Sequence, residues 1–209
     1  MYIAIEGIKG VGKSSIINKL VRYFESQKED FLFARYTMPT NSTIDKIVVR
    51  YPILMRNCDW FKEYVYACRS NNLARNIDWS RKIILGDRCI VTSYITRFWR
   101  YEKQFEVQIK KVDSLMPLIP APDIILYLDA DLNTIMKRIA IRKRTYGIED
   151  ETEEKLNADK LAYEFLKTHC VSKRLSNTKW ITIDANQDSE TVFQACLLEI
   201  YNFLPENKS

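Results

Sequence analysis

Three glycines, a lysine and a serine fall in one short run, Gly7-Ile8-Lys9-Gly10-Val11-Gly12-Lys13-Ser14, at the spacing G-x-x-x-x-G-K-[ST]. Those residue types suit the holding of a polyphosphate. Glycines let backbone N–H groups turn inward around anionic oxygens, and a helix starting at the end of the run adds the positive end of its dipole. Lys13 brings a point charge to the terminal phosphates, and the Ser14 hydroxyl can ligate Mg²⁺. Gly7 to Ser15 is therefore the expected nucleotide-phosphate segment. Few other residues compete for chemistry. The one histidine, His169, rules out a multi-histidine metal centre, and no Gly-x-Ser-x-Gly elbow accompanies it. The five cysteines include no Cys-x-x-Cys pair and read as free thiols in a reducing cytosol.

A phosphate loop needs a strand before it and a helix after it. Residues 2–6 form a short apolar run ending at glycine, which predicts a buried strand. Ile16, Ile17, Leu20, Val21 and Phe24 then share one face of a helix. Further strands are expected at 31–36, 83–86, 124–128 and 180–183. Helices are expected around 44–51, 60–77, 105–116, 135–139, 161–166 and 192–203. Continuous apolar strands alternating with helices predict an α/β fold: a five-stranded parallel sheet flanked by helices in three layers. Ligands of such sheets sit beyond the carboxyl ends of the strands.

With 209 residues, 46% hydrophobic and 28% charged, the composition is that of a globular chain and excludes a disordered one. The expectation is a single domain, 1–209, with a basic lid segment at about 142–154. No apolar run approaches the ~20 residues of a membrane helix. The first residues lack a basic stretch followed by a long apolar core, so no leader peptide is expected. Net charge is +5, which suits an anionic ligand but does not argue for nucleic acid.

Nearly the whole chain resembles the thymidylate kinase family, the nucleoside-monophosphate kinases of the phosphate-loop class. The family opens with a strand, Glu-Gly and the loop, as in Ile5-Glu6-Gly7. A proline follows the second strand, as does Pro39 here, with Ser42, Thr43 and Ile44 after it. A helix carries Ala-x-Arg, matched by Ala67-Cys68-Arg69. The third strand runs into Asp-Arg with a hydroxyl pair four and five residues after the Arg, matched by Asp87-Arg88 and Thr92-Ser93. A register counted from Gly86 is the alternative; the flanking residues favour Asp87-Arg88. Pro122-Asp123-Ile-Ile-Leu-Tyr-Leu128-Asp129 matches the family's fourth-strand box, and Arg138, Arg142 and Arg144 fall on the helix leading to the lid.

The resemblance implies an ATP-dependent transfer of the γ-phosphoryl group to dTMP, with Mg²⁺, in a cytoplasmic homodimer that binds neither nucleic acid nor membrane. It implies catalytic roles for Lys13, Asp87, Arg88, Arg142 and Arg144, and metal ligation by Ser14 and Asp87. The ATP phosphates would lie on Gly7, Ile8, Lys9, Gly10, Val11, Gly12, Lys13, Ser14 and Ser15. The acceptor would meet Glu6, Pro39, Arg69, Arg88 and Tyr94. For Tyr94, Phe98 and Tyr101, stacking on the base competes with plain core packing. The chain departs from the family at Lys9, where an acid is usual, at Gly10, which carries no loop arginine, at Thr37, where arginine is frequent, and at Cys89, where an aromatic is usual. Two other readings stand beside the kinase of monophosphates: a deoxynucleoside kinase of the related fold, and a weakened nucleotide-binding protein that serves a partner. The first needs a carboxylate base near the second-strand end, and residues 31–42 contain no acid.

Overall fold

Five apolar runs form strands: β1 (Tyr2–Glu6), β2 (Phe31–Arg35), β3 (Ile83–Asp87), β4 (Ile124–Asp129) and β5 (Lys179–Asp184). The computed structural model describes residues 1–36, 38, 39, 41–101, 104–142, 151–169 and 172–204, with the backbone alone at 56, 97 and 99–101. The strands make one all-parallel sheet in the order β2-β3-β1-β4-β5. All five residues of β1 are buried. Successive side chains of a strand point to opposite faces, so both faces of the sheet are covered. This is the flanked parallel architecture expected from the sequence.

The covering helices are α1 (Lys13–Ser26), α2 (Thr43–Arg50), α3 (Pro52–Asn57), α4 (Asp59–Asn76), α5 (Ile90–Tyr101), α6 (Phe105–Leu115), α7 (Leu132–Ile141), α8 (Glu153–Thr168) and α9 (Ser189–Phe203). Helix α1 buries Ile16, Ile17, Leu20 and Phe24 against the sheet, at the predicted helical spacing. Pro52 starts α3 at a position where its missing N–H costs nothing.

Two of these helices have no counterpart among the elements read from hydrophobic spacing, α3 and α5. The α5 sequence, Ile-Val-Thr-Ser-Tyr-Ile-Thr-Arg-Phe-Trp-Arg-Tyr, is rich in β-branched and aromatic residues, which prefer strands in isolation. Packing overrides that preference. Ile90, Val91, Tyr94 and Ile95 lie on one helical face and are buried, and the helix is held between α6 and α8. Among the described cysteines, Cys58, Cys68, Cys89 and Cys196 are free thiols.

The register sets where the strands end together. Ile5 lies beside Asp87, and Glu6 beside Tyr127. The winding direction reverses across β1, which has β3 on one side and β4 on the other. The carboxyl edge at that reversal is where an open parallel sheet forms its ligand crevice.

Candidate active site at the carboxyl edge of the sheet

The loop between β1 and α1 owes its shape to glycines at positive φ, Gly7 at 142°, Gly10 at 85° and Gly12 at 112°. A Cβ on Gly7 would lie 2.6 Å from the Leu128 carbonyl oxygen. One on Gly10 would lie 2.8 Å from Ile135 Cγ2 and 2.9 Å from Ile139 Cγ1. The loop is therefore pressed onto β4 and α7 at these two positions. Gly10→Ala combines left-handed strain with overpacking. It is expected to cost about 2 kcal/mol or more of stability and to weaken ATP binding, as checked by thermal denaturation and calorimetric titration.

Lys9 to Ser15 line a cleft of about 600 Å³ together with Asp87, Arg88, Arg138 and Arg142. Its far side is formed by Ile141, Ala185 and Val192. That volume suits a nucleotide-sized ligand. No side chain caps the start of α1, whose first residues line the cleft. Gly7 and Ile8 contribute their backbone instead: the Lys13 ammonium donates to the Gly7 carbonyl at 2.6 Å and to the Ile8 carbonyl at 2.8 Å.

Burial, and next the nearby Arg88 guanidinium, push the Lys13 pKa well below the ordinary lysine value, while Glu6 and Asp87 act the other way. The ammonium is the form that holds phosphate, and an anionic ligand raises the pKa again. Above the depressed pKa, binding must therefore take up a proton. ATP affinity is expected to fall with rising pH, by no more than tenfold per unit, through a midpoint below the usual lysine range. Calorimetry in buffers of different ionisation enthalpy reads that proton directly, and Lys13→Ala should lack the step.

Asp87 ends β3, and Arg88 follows it at a φ of +74°, a conformation unusual for a residue with a side chain. Its backbone N–H donates to the Ile5 carbonyl at 3.2 Å, and its Nη1 donates to Thr92 Oγ1 at 3.1 Å. The turn thus carries Asp87 and Arg88 into the cleft beside the loop, as the Asp87-Arg88 register requires.

Glu6 is fully buried at the end of β1. Its Oε1 accepts from the Cys89 backbone N–H at 2.8 Å, and its Oε2 accepts from the Tyr163 hydroxyl at 2.7 Å. Thr92 Oγ1 lies 3.1 and 3.0 Å from the two oxygens. Burial, then the Glu6 charge, pushes the Tyr163 phenol well above its ordinary pKa, so it remains a donor. One carboxylate therefore ties β1, the start of α5 and α8 together.

The remaining expected residues fall in different places. Arg142 lines the cleft and donates to the buried Glu151 carboxylate at 2.9 Å. Arg144 and Thr37 lie outside the described residues, as does most of the lid segment. Pro39 is exposed between β2 and α2. Arg69, on α4, is buried in an ion pair with Asp45 of α2, with Nε 2.7 Å from Oδ1. Tyr94 is not brought to the cleft. Its ring is fully buried, and its hydroxyl is taken by Asp113 and Ser172. The core-packing alternative holds for it, because no face is left for a base. His169 is exposed and stacks on Phe165 at 4.4 Å, away from the cleft residues.

Two site residues gain their roles only from the structure. Tyr163 is one, 157 positions from the Glu6 it serves, and no sequence signal links the pair. Arg138 is the other. Its Nη1 donates to the Val11 carbonyl at 3.1 Å and the Ala185 carbonyl at 2.7 Å, and its Nη2 to the Gln187 carbonyl at 3.2 Å. It fastens the phosphate loop to the segment between β5 and α9. Its place among the spaced arginines is legible in the sequence, whereas its carbonyl partners, 47 and 127 positions away, are not.

Comparisons with known proteins speak to the fold and the family. A solved structure of deoxyadenosine kinase from M. mycoides superposes with a TM-score of 0.65 at 20% identity, covering 97% of this chain and 100% of that one. That likeness speaks for the fold. The thymidylate kinase of Mycoplasmoides gallisepticum is 24% identical, over 92% of this chain and 90% of its own length. The thymidylate kinase of Blochmanniella floridana is 26% identical over 98% and 95%, respectively. The family model described as thymidylate kinase matches residues 5–196, from the end of β1 into α9 and across every cleft residue named above. The chain belongs to the thymidylate kinase family.

Proposed function

We propose that this chain is an ATP-dependent phosphotransferase that moves the γ-phosphoryl group of ATP onto dTMP, giving dTDP and ADP. The observation that carries the reading is the convergence of Lys13 and Ser14, Asp87 and Arg88, and Arg142 on one cleft at the carboxyl edge. The names of the relatives support the acceptor.

The chemistry needs little from the protein beyond placement and charge. An oxygen of the acceptor phosphate bonds to the γ-phosphorus as the bond to the β,γ-bridging oxygen breaks, and the electron pair leaves with ADP. That attacking oxygen is already anionic, so no strong general base is required. Lys13 and the loop N–H groups hold the donor phosphates. Arg88 meets the acceptor phosphate from the β3 side, and Arg142, with Arg144 beyond it, meets the transferring group from the α7 side. Arg69 and the stretch around Pro39 serve the acceptor, and Glu6 holds the frame on which Arg88 stands.

The donor set fits Mg²⁺. Ser14 and Asp87 offer hard oxygens on the same cleft. Among the described residues no cluster of three histidine, cysteine or carboxylate side chains forms a protein cage. An ion held by two protein oxygens, with phosphate and water completing its shell, is the ordinary arrangement for Mg²⁺. When bound, it would neutralise charge on the nucleotide phosphates. The same reading takes residues 1–209 as one kinase domain with a lid at about 142–154, working as a cytoplasmic homodimer. No helix among the described residues is long and apolar enough to cross a membrane.

The test is ADP release from ATP and Mg²⁺ across dTMP, dUMP, dCMP, CMP, UMP, AMP, GMP, thymidine and deoxycytidine. Turnover with dTMP that Lys13→Ala abolishes is the expected result. Turnover with nucleosides alone would move the chain to deoxynucleoside phosphorylation. No turnover from folded protein that binds ATP would leave a nucleotide-binding role.

A further inference from the structure

The cleft has two unlike ends. At one, Lys13 and Ser14 open α1, and Asp87 and Arg88 leave β3. At the other lie Ile141 of α7, Ala185 just after β5, and Val192 of α9. Ala185 and Val192 are buried, whereas Ile141, the last residue of α7, is 82% exposed. A ligand divided in the same way, with phosphates at one end and a flat base at the other, matches that pair of ends. The strands that lead into the two ends are not neighbours. The phosphate loop follows β1 and the Ala185 segment follows β5, with β4 between them. No ladder of the sheet therefore sets their spacing directly.

Arg138, on the helix after β4, reaches both. Its Nη1 donates to the Val11 carbonyl of the loop at 3.1 Å and to the Ala185 carbonyl at 2.7 Å, and its Nη2 donates to the Gln187 carbonyl at 3.2 Å. Three of its five N–H donors, including both on Nη1, are thus spent on the chain itself. The acceptors are backbone carbonyls, so the contact places the two segments and not their side chains. A guanidinium holds its two terminal nitrogens at a fixed separation, which suits it to this task. Each segment is also held separately. Gly10 is pressed onto Ile135 and Ile139 of α7. The Ala185 N–H donates to the Asp129 carbonyl at 2.7 Å, and Asn186 Oδ1 accepts from the Asp131 N–H at 3.0 Å. Neither of those contacts runs from one segment to the other. Loss of Arg138 leaves both segments anchored and frees the distance between them.

We propose that Arg138 is a positioning residue that fixes the spacing between the phosphate end and the base end of the donor cleft, so that ATP binds as one unit across both. The proposal rests on the reading of this cleft as the ATP site. A ligand that spans two prepositioned sites gains from their being joined at the right distance. When the distance is free, each half still finds its own site and the gain is lost.

The test compares a whole ligand with its parts. Affinities for ATP and tripolyphosphate are read by calorimetric titration, and that for adenosine by displacement of ATP. Arg138→Met is expected to weaken ATP about tenfold, and tripolyphosphate and adenosine each by no more than about threefold. With dTMP as acceptor, kcat should fall along with ATP affinity, because the γ-phosphoryl group is no longer held in line, while the KM for dTMP stays near its wild-type value. Arg138→Lys keeps the charge but lacks the fork. It should restore tripolyphosphate and leave ATP weakened.

Other roles give other patterns, and each overturns the proposal. An equal loss for tripolyphosphate and ATP would mean that Arg138 shapes or charges the phosphate loop alone. An equal loss for adenosine and ATP would confine it to the base end. Full recovery of ATP in Arg138→Lys would make charge the cause. Should Arg138→Met not fold, Arg138→Lys decides by the same three affinities. Because binding is read without an acceptor, wild-type protein that binds ATP yet phosphorylates nothing would sink the kinase reading and leave this proposal standing. Wild-type protein that binds ATP no better than tripolyphosphate would sink the proposal alone.

Discussion

Lys13→Ala is expected to lower kcat/KM for phosphoryl transfer by about 10²–10³-fold, the usual loss when a preorganised group stabilising developing charge is removed. The size follows from where the ammonium sits. It is buried at the foot of the cleft, where the surroundings screen charge far less than water does. It is also fixed by the Gly7 and Ile8 carbonyls, so little reorganisation is needed when phosphate arrives. Two effects then add in the variant. The charge near the transferring group is gone, which lowers kcat. The loop loses the side chain that gathers two of its carbonyls, which raises the KM for ATP. Steady-state kinetics with both substrates varied separates them. A rise in KM with kcat intact would show that Lys13 binds ground and transition states alike, and would remove it from the catalytic set. Lys13→Arg is expected to recover little, because a planar fork cannot occupy the compact position of an ammonium between two carbonyls.

The phosphate loop is legible in the sequence because everything that shapes it is local. A strand, three glycines, a lysine and a helix follow one another within 26 residues, and each residue type has a direct physical reason. The parallel sheet is legible for a similar reason, since strands buried on both faces must be continuously apolar. The strand order and the partners of the buried charges are long-range facts. Arg69 stands out only through its helix motif and the family resemblance. Its partner Asp45 looks like an ordinary first-turn acid until α2 and α4 are packed together. Glu6 can be placed at a strand end, yet nothing near it in sequence announces Tyr163. Tyr94 shows the opposite case. Next to a hydroxyl pair it reads as a candidate for the base, but a helix hidden by its β-branched residues turns the ring into the core.

Glu6→Gln is the second large effect expected, and it falls on stability as well as on activity. The carboxylate is fully buried and accepts from the Cys89 backbone, Thr92 and Tyr163. A glutamine of the same shape can still accept at one position. It presents an NH₂ group at the other, where a donor already points. Neutralising one member of a buried charged network of this kind costs about 3 kcal/mol, or roughly 10 °C in melting temperature for a chain of this length. Tyr163→Phe removes a single donor and should cost only about 1 kcal/mol. Thermal denaturation of the two variants side by side gives the comparison, and equal melting temperatures would show that the Glu6 charge is not what holds the three elements. The same substitution acts on the cleft. Glu6 is one of the groups that raise the Lys13 pKa against burial and Arg88. With Glu6 neutral, the Lys13 pKa falls further, and the pH above which ATP affinity declines moves down with it. A midpoint that stays put in Glu6→Gln would mean that the carboxylate frames the site without tuning it. A midpoint that shifts down would make one buried acid responsible both for joining the ends of β1, α5 and α8 and for keeping the phosphate-binding lysine charged.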